Sequence, residues 1–68
     1  MTAREFEKAV RKAIKEAADR GEMETIVLFD VDDLKDAVPP VYNKLKNEHY
    51  DVALRGFTSL RVGWEILN

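Results

Sequence analysis

Four aspartates crowd one short stretch, Asp30, Asp32, Asp33 and Asp36, directly after the apolar run Ile26–Phe29. Carboxylates this close could hold a hard divalent cation, which prefers oxygen donors. A calcium loop, however, supplies oxygens at alternate positions, a glycine at the sixth place and a glutamate at the twelfth. Counted from Asp30, the fifth, sixth and twelfth places hold Leu34, Lys35 and Val41. No metal site is assigned on that pattern. The chain has no cysteine and a single histidine, His49. Disulfides, thiolate metal sites, Cys-His and Ser-His-Asp arrangements and multi-histidine centres are therefore excluded.

The segment IVLFDVDDL, residues 26–34, resembles the first motif of the haloacid dehalogenase-like phosphatases. The resemblance implies a nucleophilic Asp30, an acid/base Asp32 and magnesium-dependent phosphoryl transfer. The chain departs from that pattern at once, because Asp33-Leu34 stands where the family usually has Gly-Thr or a similar pair. No later strand ends in an acidic pair to hold the metal. The reading adopted is that Asp30 ends a strand and Asp32 or Asp33 caps the helical segment after it, since short acidic side chains satisfy the free amides of a helix start. No catalytic residue and no cofactor are expected, and the chain is read as a non-enzyme.

A second charged feature is the basic stripe Arg4, Lys8, Arg11 and Lys15, spaced to lie on one side of a helix. It is the candidate for a nucleic-acid-binding surface, the alternative functional reading. Glu7–Arg11, Lys15–Asp19 and Glu16–Arg20 are spaced for ion pairs across the same surface, which is how a solvated helix face looks. With a net charge of −2 and 35% charged residues of interspersed sign, the whole chain has no overall pull toward nucleic acid or anionic lipid. The longest apolar run is far too short for a membrane span, and the charged, helical amino end is unlike a secretory signal. A cytoplasmic location without membrane contact is expected.

These residues need elements to position them, and 68 residues leave room for one domain, residues 1–68, with one small core. Thr2-Ala3-Arg4-Glu5 fits a capping box, and Phe6, Val10, Ala13, Ile14 and Ala17 come after it at helical spacing. Gly21 is placed to end that helix, which is predicted over Ala3–Arg20. Thr25–Val31 is β-branched and aromatic, and predicts a strand with Met23, Thr25, Val27, Phe29 and Val31 on one face. Pro39 and Pro40 fit the first turn of a second helix, where their missing amides cost nothing. That helix should end near Glu48 or His49. Two more strands complete the chain, joined by GFTS as a hairpin. The register that pairs Leu54 with Leu60, Val52 with Val62 and Tyr50 with Trp64 keeps like charges apart. The expected fold is α+β, a two-layer αβαββ arrangement with a three-stranded sheet, a C-terminal β-hairpin and both helices on one face.

Tyr50 and Trp64 then fall on the helix-covered side as packing residues. The other face is left open, with Ile26, Leu28, Ala53, Gly63 and Leu67 among the charged residues Arg55, Arg61, Asp51 and Glu65, and with Phe57 at the hairpin tip. Apolar residues rimmed by charge are the composition of a contact surface. Ile26, Leu28, Ala53, Arg55, Phe57, Arg61, Gly63 and Leu67 are the protein-interaction candidates. The layout also resembles small proteins encoded by bacteriophages and prophages, carried here by Leu45, Tyr50, Val52 and Trp64, with His49 where those proteins have Gly. The resemblance implies binding to a host or viral protein, in the host cytoplasm. The expected function is a small interaction module that binds a protein partner or a second copy through the open sheet face.

Overall fold

The computed structural model describes residues 1–65. The first helix, α1 (Ala3–Asp19), starts on the reciprocal pair that its first residues encode. Glu5 N–H donates to Thr2 Oγ1 at 3.1 Å, and Thr2 N–H donates to Glu5 Oε1 at 3.0 Å. Phe6, Val10 and Ala17 on its apolar stripe are fully buried. Gly21 adopts φ +80°, and Glu22 N–H turns back to Ala17 C=O at 2.9 Å, so the last carbonyls are satisfied where the helix stops.

The first strand, β1 (Glu24–Leu28), is shorter than Thr25–Val31. Phe29 N–H still donates across the sheet, to Thr58 C=O at 2.9 Å. Beyond it, Asp30 N–H is taken by Asp33 Oδ2 at 3.2 Å, and the chain coils into a 3-10 turn over Val31–Leu34. Val31 therefore leaves the sheet and stands about half exposed, not on the core face, and Met23 before the strand is also half exposed. The second helix, α2 (Val38–Asn47), carries Pro39 and Pro40 in its first turn. His49 ends it at φ +73°, with Tyr50 N–H bonded back to Leu45 C=O at 3.1 Å.

Strands β2 (Asp51–Arg55) and β3 (Ser59–Gly63) form the hairpin, its turn opened by Gly56 at φ +68°. Val52 faces Val62 and Leu54 faces Leu60, as the charge argument requires. β3 also pairs antiparallel with β1, so the sheet order is β1-β3-β2 and the hairpin's second strand is the central one. Each residue of β3 then defines a row across all three strands. Thr25–Val62–Val52 and Val27–Leu60–Leu54 face the helices, whereas Glu24–Gly63–Asp51, Ile26–Arg61–Ala53 and Leu28–Ser59–Arg55 face away.

The core sits between the sheet and the helix pair. Phe6 meets Phe29 edge-on at 5.6 Å, with Val38, Val41 and Leu45 of α2 completing the layer. Across the outer side of the two helices a chain of opposite charges runs from Lys44 to Glu7 (3.0 Å), Arg11 (2.9 Å) and Glu48 (2.7 Å). One inner-face residue escapes cover. Leu54 is 48% exposed although Leu60 beside it is fully buried, because β2 is an outer strand with no strand paired beyond it among the described residues.

Candidate functional site

The helix-free face is built from alternate residues of three strands, so its chemistry is set by the row order. Its middle is spanned by Arg61. The guanidinium reaches Glu24 Oε2 of β1 at 3.1 Å through Nη2 and Asp51 Oδ2 of β2 at 3.3 Å through Nη1. Both carboxylates flank Gly63, two residues along β3 on the same face. The missing side chain at Gly63 leaves the space in which the guanidinium lies, since a Cβ there would stand 3.3 Å from Arg61 Nη2. Glu24 first and Asp51 second raise the Arg61 pKa further above its ordinary value. One cation thus ties three strands together, and Gly63 is buried beneath it.

Beside this charged band the face turns apolar. Ile26 is 49% and Leu28 is 74% exposed, and Phe57 at the hairpin turn is also 74% exposed. Ala53 and Arg55 are exposed on β2. The structure therefore brings Ile26, Leu28, Ala53, Arg55, Arg61 and Gly63 onto one surface, with Phe57 at its end; Leu67 lies outside the described residues. Reasoning from sequence missed Glu24 and Asp51 as the partners of Arg61. Alternation alone puts all three on one face, but the strand order that makes β3 central carries no local signal.

The other candidates are placed differently. Asp33 is the buried member of the acidic segment, accepting from Asp30 N–H and lying 3.4 Å from the Met1 amino group through Oδ1. It braces the strand-to-turn bend from inside the turn. The residue at the cap position is Asp30, not Asp32 or Asp33, since the strand already ends at Leu28, and Asp30 and Asp32 are exposed. Among the described residues, no group of three or more His, Cys, Asp or Glu side chains is arranged to hold a metal ion. The basic stripe is partly neutralised, because Arg11 is committed to Glu7 and Glu48. Lys44 and Arg11 in turn hold the Glu7 carboxyl below its ordinary range, and Arg11 does the same for Glu48. Arg4, Lys8 and Lys15 remain exposed with no ion pair among the described residues, and Arg20 pairs with Glu22 at 2.8 Å instead of Glu16. Tyr50 and Trp64 meet edge-on at 6.5 Å and, with His49 and Ile14, line an open groove of about 800 Å³ at the end of the sheet. Among the described residues no helix is long and apolar enough to cross a membrane.

The molecule is thus a small two-layer α+β protein with an αβαββ order and an uncovered mixed face. No protein-family model matches the chain, and neither a curated protein nor a solved structure matches it.

Proposed function

We propose that this protein is a non-enzymatic interaction module that docks a protein partner or a second copy of itself through the helix-free sheet face. The observation that carries the reading is the pair Ile26 and Leu28, large aliphatic side chains adjacent on one face of one strand and about half and three-quarters exposed. Covering such side chains is the main favourable term in association, at roughly 25 cal/mol per Å² of apolar surface. The Glu24–Arg61–Asp51 band beside them supplies the polar rim that gives a docked surface its orientation. The phage-type resemblance and a cytoplasmic setting belong to the same proposal.

A photoreactive residue at Leu28, in the cell that makes the protein, should cross-link one defined protein or a second copy, and the same residue at Lys15 should not. Ile26→Lys combined with Leu28→Lys should abolish the capture while leaving the fold intact. Equal capture from both positions, or capture that survives the double substitution, would refute the face as the docking surface. The basic face of α1 remains the second reading, favoured by the exposed Arg4, Lys8 and Lys15. It requires a DNA or RNA affinity that falls steeply with salt and is lost in Lys8→Glu with Arg11→Glu.

A further inference from the structure

The outer edge of β2 reads Asp51-Val52-Ala53-Leu54-Arg55, a segment whose chemistry is complementary to its own reverse. We infer that two copies of this chain join antiparallel along their β2 edges, about an axis through Ala53, to form one continuous six-stranded sheet.

Antiparallel pairing of a strand with itself must keep opposed residues on the same face, so the axis passes through a residue. Placed at Ala53, it sets Asp51 against Arg55 of the second copy at both ends, Val52 against Leu54, and Ala53 against Ala53. Opposite charges facing across strands stabilise pairing and like charges oppose it. An axis at Val52 sets Asp51 against Ala53, and one at Leu54 sets Arg55 against Ala53. Only the Ala53 register pairs both charges.

Three observations fit that register. Arg55 is exposed and has no carboxylate in ion-pair range among the described residues, so it is a cation available for Asp51 of the second copy. Asp51 holds Arg61 through Oδ2 alone, and its side chain is 78% exposed, which leaves room for a second guanidinium. The added pair extends the existing band into an alternating row of Glu24, Arg61, Asp51 and Arg55 of the second copy. Leu54, the inner-face residue left 48% exposed at the edge, comes to lie against Val52 of the second copy. At the axis the two alanines meet without bulk.

The opposite edge lacks this complementarity. An axis at Ile26 of β1 sets Glu24 against Leu28, and one at Val27 sets Glu24 against Asp30, a like-charged pair. β2 contains neither proline nor lysine, and its two charged residues, Asp51 and Arg55, are of opposite sign and so pair in this register instead of repelling. The interface is small, two strands of five residues, so association is expected to be weak.

Edge pairing is separate from face docking: Ala53 and Arg55 border both surfaces, so the variant that tells the two apart is Ile26→Lys with Leu28→Lys, which lies on β1 and should leave the edge dimer intact. Sedimentation of the wild-type chain should show a mass that doubles with rising concentration. Arg55→Asp should raise the dissociation constant about tenfold or more, because both cross-strand pairs become like-charged. Asp51→Arg should do the same. An equimolar mixture of these two variants should dimerise, since each then presents the charge that the other lacks. Ala53→Lys, at an exposed position on the axis, should give a folded monomer by circular dichroism, and it carries the test if Asp51→Arg disturbs the Arg61 contact. A wild-type chain that stays monomeric at about 1 mM, where even an association worth about 4 kcal/mol would show, would overturn the inference. So would an Arg55→Asp chain that dimerises as tightly as wild type while Ile26→Lys with Leu28→Lys abolishes the dimer.

Discussion

Replacing Gly63 by alanine sets three effects against one another at the centre of the candidate face. Gly63 does not use a positive φ, so an alanine fits the backbone as it stands. Removing glycine's freedom from the unfolded chain should stabilise the fold by about 0.4–1 kcal/mol. Against this, the new methyl carbon would stand 3.3 Å from Arg61 Nη2 and 3.6 Å from Cζ and Nη1. Those atoms are the far end of a flexible side chain, and a shift of a few tenths of an ångström relieves the contact. The shift lengthens the bonds to Glu24 and Asp51, whose side chains are 55% and 78% exposed. Exposed pairs contribute about 0–1 kcal/mol each, and lengthening forfeits only part of that. The backbone effect wins, by roughly 0.5 kcal/mol. In a domain of this size that is a rise in Tm of about 2–4 °C. Thermal unfolding followed by circular dichroism reads it directly, and the same substitution in an Arg61→Ala background should give the full backbone gain without the steric term. A fall in Tm of Gly63→Ala by about 4 °C or more would refute the reasoning. It would show that the guanidinium cannot yield and that the three-strand tie is worth more than exposed pairs usually are.

His49 holds φ +73°, which costs a side-chain-bearing residue about 1 kcal/mol, so His49→Gly should raise the urea midpoint or leave it unchanged. Asp33 is buried and accepts from Asp30 N–H, so Asp33→Ala should cost about 1–3 kcal/mol in urea unfolding. Asp30→Asn and Asp32→Asn, both at exposed side chains, should change the midpoint little. Lys44 and Arg11 lower the folded pKa of Glu7 from its usual 4.5. Its contribution to stability is therefore present above pH 4.5 and is lost as pH falls below it through the folded value. The Tm difference between wild type and Glu7→Gln should be largest near neutral pH and vanish in acid; a difference that grows in acid would reverse the assigned sign.

Local chemistry makes much of the fold legible. The Thr2–Glu5 box, the Phe6 stripe, Gly21 and the Pro39-Pro40 pair each act within a few residues, and the helices begin and end where those residues allow. The observed hairpin register is the one that avoids the like-charged pairs Asp51–Glu65 and Arg55–Arg61, which a slide by two residues would create. The features that sequence alone does not reveal depend on neighbours distant along the chain or on a single competing bond. The apolar alternation of β1 continues to Val31, but Asp33 captures the Asp30 amide and bends the chain first. Alternation sets the side of Leu54 correctly, on the face that carries the helices. Its exposure is set by β2 being outermost, a property of the strand order.

That order also leaves one sheet face and both outer edges without a covering element among the described residues. Two helices suffice to cover one side of three strands, and in a 68-residue chain no described element remains for the other side or for the outer edges. Domains of this length keep only a few kcal/mol of core stability in reserve, so binding contributes visibly to it. A partner that binds only the folded state adds RT ln(1 + [L]/Kd), about 2.7 kcal/mol at a hundredfold excess over Kd. If the β2 edges pair, the chain is its own ligand. Raising its concentration from about tenfold below Kd to tenfold above should then lift Tm by several degrees. Arg55→Asp should flatten that dependence while unfolding at the dilute wild-type Tm. A wild-type Tm independent of concentration across that range would mean that the folded chain gains nothing from a second copy.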